Sequence, residues 1–599
     1  MLRGLAVAEL ESGAGRLGRC LDTYLMERET AIRVNTLIDG GRRNRRNNRF
    51  LQPPSNTLRQ VKQPINGARD RLRIGGRSLI LVPSMKRQRL VPRGSLSRLF
   101  QEAAEAWRKQ EYSLTIELLE RAARLDPANP SVWLDLGRAY GLRYDYAAAE
   151  RCFAKAVRVS PRPVDTLAEA GRRSQEFGHY AMATGFFARA VDNKAASADA
   201  LVTLAELHER HSRLDEARQL VERALRMESA HPRARLAQAR LKRLGSDWAE
   251  SERLVRMLLS DPACDPATRI RSWYELGGLL DRQGRYDEAM SAWLEAKAAQ
   301  RPAAAPFVKV LQGIQARVKE MERTVSAGVL RRWSAAAGDL QPLRRLAVLC
   351  GHPRSGTTLL EQMLDAHPDI VSAEETHILH DEAYLPLSRG FPQTASVLEV
   401  LDSAPPSRLR QSREDYFRFT ELFLGKTIGD RLLTDKNPAL NVLIPAVVRL
   451  FPEAKFLIAL RDPRDVCLSC FMQPLALNPV SSAYLSLEGT VNQYVSVMGF
   501  WRSIVPELPN PWIEIRYEDV VNRLETESRR VLDFLGVSWH PAVLGFHEHA
   551  RKKPLRSPSY ADVVQPVYRR ALGRWQNYRT HLEPYLEKLD RFVKAFGYV

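Results

Sequence analysis

Residues of matching size recur every 34 positions through the first half of the chain. From Trp133, the series Leu136, Gly137, Tyr140, Ala149, Phe153, Ala156 and Pro161 sets the pattern. A step of 34 residues brings Gly171, Ala183, Phe187 and Ala190; another 34 brings Leu204, Ala205, Ala217 and Ala224. The series restarts at Trp273, Leu276, Gly277, Ala289, Trp293 and Ala296. Pro127 lies 34 residues before Pro161, which places a degenerate unit from about Leu96, and a poor match around Trp248-Ala249 fills the middle. A fixed period of this length constrains a fold more than local propensity does, because one period is one pair of helices. Small residues at the glycine and alanine positions let paired helices approach, and the large residues fill the gap. One pair cannot bury its own apolar face, so neighbours must stack. The expectation is an α-helical solenoid of five or six units over residues 96–300.

These markers resemble the tetratricopeptide repeat (TPR). The resemblance implies a right-handed superhelix whose concave groove takes a peptide or protein partner, although the fold alone names no ligand. Residues 301–344 read as a helical linker or cap. They open with Pro302-Ala303-Ala304-Ala305-Pro306, expected to be a punctuated joint, and continue with helical periodicity at Val308, Leu311, Ile314 and Val318. A further helix is expected around 327–337, and a domain boundary near Gln341-Pro342.

The second half carries a chemical signal. The apolar run Leu346-Ala347-Val348-Leu349 leads into Gly351-His352-Pro353-Arg354-Ser355-Gly356-Thr357-Thr358 and then a helical run, Leu359 to Leu364. Strand, glycine-bracketed turn and helix N-terminus make a phosphate cradle, in which backbone N–H groups and the helix dipole face an anion. The spacing G-x4-G matches the nucleotide-binding P-loop, but Thr357 stands where the P-loop lysine belongs, and the cation is Arg354 inside the turn. That argues against an ordinary ATPase, GTPase or P-loop kinase.

With Leu364-Asp365-Ala366-His367-Pro368, Glu374-Glu375-Thr376 and the later block Lys455-Phe456-Leu457-Ile458-Ala459-Leu460-Arg461-Asp462-Pro463-Arg464, this stretch resembles the sulfotransferases that use 3′-phosphoadenosine-5′-phosphosulfate (PAPS), especially the tyrosylprotein-sulfotransferase-like branch. The resemblance covers residues 345–599 and implies an α/β P-loop-type domain with a parallel sheet. It implies that Arg354, Ser355, Gly356, Thr357 and Thr358 hold the 5′-phosphosulfate, and that Arg461 and Ser469 hold the 3′-phosphate. Tyr517, in Arg516-Tyr517-Glu518-Asp519, is placed near the nucleotide. The catalytic set is Glu375 as general base with Arg354 and Lys436 as cations. PAPS is the co-substrate, PAP (3′-phosphoadenosine-5′-phosphate) the product, and no metal is required. The family motif E-E-T-R ends here in His377, which leaves His377 or His380 as alternative bases if Glu375 is structural. Gln565 stands where family members often carry lysine, in the segment that begins at Ser557 and resembles a nucleotide-closing loop.

The 599-residue chain carries a formal charge of +20, but residues 1–95 hold 20 Lys+Arg against 7 Asp+Glu, or +13, leaving 20 − 13 = +7 for the rest. The basic excess therefore marks an N-terminal segment expected to be disordered; whether translation starts instead at Met85 is open. Nucleic acid is not an expected partner. No apolar run is long enough to span a membrane, and six thinly spread cysteines, including Cys467 and Cys470, fit reduced thiols in a cytoplasm. The Arg- and Ala-rich composition points to a bacterial source. The function expected is sulfuryl transfer to an acceptor hydroxyl: a tyrosine presented by the TPR groove, or a carbohydrate or small molecule. A non-catalytic TPR scaffold with a nucleotide-binding domain is the rival class.

Overall fold

The computed structural model describes residues 93–598 apart from 110, 194, 393 and 552–562. The basic segment and Ser557 to Tyr560 thus lie outside the described residues, except that the first helix already begins at Arg93. Twelve helices form six consecutive hairpins: α1 (Arg93–Arg108) with α2 (Tyr112–Leu125), α3 (Pro130–Leu142) with α4 (Tyr146–Val159), α5 (Pro163–Glu176) with α6 (Tyr180–Val191), α7 (Ala198–Arg210) with α8 (Leu214–Met227), α9 (Pro232–Leu244) with α10 (Trp248–Ser260), and α11 (Pro266–Arg282) with α12 (Tyr286–Thr324). An Asn, Asp, Ser or His side chain accepting an N-terminal amide starts many of them, as at Asn129, Ser197, His231 and Asp265, and all of these but Ser197 are followed by proline at the first helical position.

The repeat code is a volume rule. Ala103, Gly137, Gly171, Ala205, Ala239 and Gly277 each face a buried residue 16 positions on: Leu119, Phe153, Phe187, Val221, Val255 and Trp293. Glycine pairs with an aromatic ring and alanine with an aliphatic side chain. A Cβ at Gly137 would lie 2.6 Å from Phe153, and one at Gly277 would lie 2.3 Å from the Trp293 ring. The last step is 277 − 239 = 38 rather than 34, and α11, at 17 residues against 13 for α9, absorbs the four extra.

The expected joint at Pro302–Pro306 is not there. Helix α12 runs unbroken for 39 residues with both prolines inside it. The prolines sit four apart on one face and both are exposed, so water can satisfy the carbonyls that lose their partners, while Ala304 and Phe307 on the opposite face pack with Leu477 and Leu485. Farther along, Leu311, Val318 and Met321 join Leu330 and Trp333 of α13 (Ala327–Ala335) in the core of the next domain. One helix thus completes the last repeat and enters the α/β core.

That core is a five-stranded parallel sheet, β1 (Leu346–Gly351), β2 (Ile370–Glu374), β3 (Leu432–Lys436), β4 (Lys455–Leu460) and β5 (Trp512–Arg516), in the order β2-β3-β1-β4-β5. Strands β1 to β3 are buried along their whole length and β4 at all but its first residue, as the near-continuous apolar runs require when helices cover both faces. The chain leaves β1 toward β2 but leaves β4 toward β5. The β1 and β4 loops therefore diverge, and the crevice between them at the carboxyl edge is the place where such sheets bind ligands. Among the described residues, no helix is long and apolar enough to cross a membrane.

The repeat array also pairs with the α/β domain away from α12. Asp281 of α11 accepts from the Tyr578 hydroxyl (2.6 Å) and pairs with Arg574 (2.5 Å). At the other end, the α3–α4 turn lays Arg143 against Glu382, both buried.

Candidate active site

Gly351 ends β1 at φ 146°, and a Cβ there would meet the Ala459 carbonyl of β4 at 2.4 Å, so only glycine lets the chain turn so close to its neighbour strand. The turn continues through Arg354 at φ 72° and Gly356 at φ 90°, and α14 (Thr357–Asp365) starts directly after. A non-glycine residue in the left-handed region marks stored strain of the kind that collects at binding sites. Ser355, Thr357 and Thr358 are buried at the helix N-terminus, where amides converge on one point.

The cations proposed from the sequence come together around this turn. Arg354 Nε donates to Ser469 Oγ at 3.2 Å; Ser469 lies on α15 (Pro463–Met472), which follows β4. Arg461, at the end of β4, donates from Nη1 to the Arg354 carbonyl at 3.3 Å and from Nη2 to the Ala571 carbonyl at 2.5 Å. Its guanidinium lies 5.1 Å from the centre of the Tyr517 ring, and Tyr517 in turn packs on Gly356, where a Cβ would be 2.6 Å from the ring. Arg461 Nε is buried and makes no hydrogen bond with a described residue, a donor suited to an anion. The Arg354 turn and the Arg461 segment, about a hundred residues apart in sequence, thus meet at one crevice.

Lys436 ends β3 in register with Leu349 of β1 and Glu374 of β2. It is fully buried, and its Nζ donates to Glu375 Oε1 at 2.7 Å with Glu374 Oε1 at 3.7 Å. Burial works to lower its pKa, but Glu375, Glu374 and Glu361 outweigh that and hold the ammonium above its ordinary range, so it stays charged. Glu375 stands just past β2 at φ 48° and is partly exposed. Of the alternative bases, His377 is partly exposed, whereas His380 is buried with Nδ1 on Asp381 at 2.9 Å. Gln565 is exposed.

Several supporting residues carried no signal in the sequence. Asp465, buried on α15, accepts from the Gly573 and Trp575 amides, each at 2.8 Å, and lies 3.7 Å from Arg461. Burial raises its pKa against that help. It ties the C-terminal segment to α15. Glu518 accepts from the Asp462 amide at 3.0 Å and from the Tyr598 hydroxyl at 2.8 Å, bracing the turn after β4. Asp462 pairs with Arg464 (2.6 Å) and caps α15. Cys467 and Cys470 are both buried free thiols, and Cys470 is pushed up to about 12 by burial. Among the described residues, no group of three His, Cys, Asp or Glu side chains is arranged to hold a metal ion.

Residues 347–541 match the family model described as the sulfotransferase family, and residues 270–300 match the tetratricopeptide repeat. The chain carries a sulfotransferase domain behind tetratricopeptide repeats. The Drosophila melanogaster protein-tyrosine sulfotransferase is 29% identical over 38% of this chain and 46% of its own length, and the Gallus gallus protein-tyrosine sulfotransferase 2 is 27% identical over 41% and 68%. A protein of Aquifex aeolicus (strain VF5), described only as uncharacterized, is 23% identical over 56% of this chain and 43% of its own length. The chain thus spans less than half of the Aquifex and fly proteins. Among solved structures, the sulfotransferase domain of the Synechococcus PCC 7002 olefin synthase is 20% identical, covering 39% of this chain and 89% of its own, at a TM-score of 0.26.

Proposed function

We propose that this chain transfers the sulfuryl group of PAPS to an acceptor hydroxyl, with a tyrosine of a protein or peptide as the acceptor class. The observation that carries the reading is the pairing of two clusters at one sheet edge. One is the Arg354, Ser469 and Arg461 cluster around a helix N-terminus that lacks the P-loop lysine; the other is the Lys436–Glu375 contact beside it. Transfer breaks the bond between sulfur and the 5′-phosphate oxygen and forms one between sulfur and the acceptor oxygen. Negative charge builds on the leaving phosphate, and the acceptor proton must go to a base. Arg354, the turn amides and Lys436 supply positive charge for the leaving group. Glu375, a partly exposed carboxylate at the strand end, takes the proton. Arg461 and Ser469 give PAPS its advantage over nucleotides without a 3′-phosphate, because a guanidinium and a hydroxyl would otherwise face an empty subsite. Tyrosine is favoured because the Glu374-Glu375-Thr376 motif and the fly and chicken relatives point the same way, and the repeat groove offers a place for a polypeptide.

The test is turnover of radiolabelled PAPS on panels of tyrosine peptides and sugars. Glu375→Gln should lower the rate by about 10²–10⁴-fold with PAP affinity unchanged. Arg461→Ala should weaken PAP binding. Full turnover in Glu375→Gln with loss in His377→Ala would move the base to the histidine.

A further inference from the structure

In the turns of the last five hairpins one residue lies in the left-handed region, and its identity follows a rule with one exception. Gly178 (φ 71°), Ser212 (58°), Ser246 (65°) and Gly284 (76°) occupy this place in successive repeats. In the α3–α4 turn the residue is Tyr144, at φ 68°. A bulky side chain there is a true outlier that costs stability unless its surroundings hold it. Tyr144 is only 1% exposed and belongs to the core of the sulfotransferase domain, although its ring also meets Tyr146 of its own repeat edge-on at 6.5 Å. Its ring meets Phe423 edge-on at 5.7 Å, and its hydroxyl oxygen accepts from the His377 amide at 3.1 Å.

That amide completes a row of restraints on the segment after β2. The Glu375 amide donates to the Lys436 carbonyl at 2.7 Å, Asn437 Nδ2 donates to the Thr376 carbonyl at 3.1 Å, and the His377 amide donates to Tyr144. Glu375 itself is at φ 48°, so three successive residues are pinned around a strained carboxylate. Two pins come from the end of β3 and the third from the repeat array. Next to Tyr144, Arg143 fixes the following turn. It pairs with Glu382 and lies 4.5 Å from the Tyr112 ring centre and 4.7 Å from that of Phe419.

We propose that Tyr144 is a positioning residue for the transfer reaction, holding the Glu375–His377 segment in its working geometry from the repeat array. The inference rests on Glu375 as the base. On this view the repeats do more than recruit an acceptor: one of them completes the wall of the catalytic centre, and the tyrosine stands where local preference asks for glycine or serine.

Tyr144→Phe removes the hydroxyl and keeps the ring. Two measurements on the full chain decide the matter. Peptide-level hydrogen–deuterium exchange should be faster in 376–384 and unchanged in β1 and β4. Turnover of radiolabelled PAPS on a tyrosine-peptide library should show kcat lower by about 2- to 10-fold, the size of one lost hydrogen bond, with PAP affinity unchanged. A side chain acting through Glu375 must lose its effect when that carboxylate is gone, so Tyr144→Phe should add little in a Glu375→Gln background. Wild-type exchange in 376–384 would overturn the proposal, and so would an undiminished second effect in the double variant. If Glu375→Gln alone keeps full turnover, the base assignment fails, while the exchange result still judges whether Tyr144 holds the segment.

Discussion

Lys297 on α12 is buried to 2% exposure where the last repeat meets α15, and the proposed chemistry does not use it. Its ammonium has the rings of Tyr274 (5.2 Å) and Phe471 (5.1 Å), the Gln473 carbonyl (3.5 Å) and the Cys470 thiol as surroundings, with no carboxylate among these contacts. Burial lowers its pKa from 10.5 to about 7, with Cys470 opposing only weakly. Folding therefore disfavours the charged form. Above about pH 10.5 the amine is neutral in both states and nothing is lost. Below that, each pH unit costs about 1.4 kcal/mol until the folded-state pKa is reached near 7, where the loss levels off at roughly 5 kcal/mol. Lys297→Met keeps the length and apolar stem and removes the charge, at the loss of about 1 kcal/mol for one hydrogen bond. The variant should be more stable than the wild type at pH 7 by about 2–4 kcal/mol, and the difference should shrink toward zero by pH 10. Urea unfolding of both proteins at pH 7, 8, 9 and 10 measures it, because other titrating groups cancel in the difference. A difference that does not change with pH, or a variant less stable at pH 7, would refute the argument.

PAP should bind without magnesium, since Arg354, Lys436 and the turn amides supply the compensating charge; calorimetry that shows strict dependence on a divalent ion counts against the site. Gly277→Val places atoms inside the space of the Trp293 ring and should destabilise the array by about 1–3 kcal/mol, read as a lower melting temperature by circular dichroism, whereas no change would break the volume rule. Asp435, buried with the Tyr416 hydroxyl at 2.8 Å, is raised by burial to about 7. Its folded pKa lies above its ordinary 3.8, so the folded state is penalised as pH rises from about 4 to 7 and stays so above. Asp435→Asn should then gain stability over the wild type across that window and hold the gain at pH 8; a gain confined to pH 4 would contradict it.

The sequence by itself determined the parts of this protein that depend on short-range spacing. A 34-residue period is a local property of one helix hairpin, so Gly137 with Phe153 and Gly277 with Trp293 could be read before any coordinates. A strand, a glycine turn and a helix N-terminus are likewise contiguous, which made the Arg354 turn and the strands β1 and β4 legible. The proline pair misled because exposure, not composition, decides whether a helix tolerates Pro302 and Pro306, and exposure is set by what packs on the other face. Only the tertiary structure decided which residues meet. The sheet order places β3 beside β1 and so brings Lys436 to Glu375 across 61 positions, and the curl of the array brings Tyr144 to His377 across 233. Such contacts leave no periodic trace in a single sequence, because they are fixed by the packing of whole elements and not by the propensities of the residues that touch.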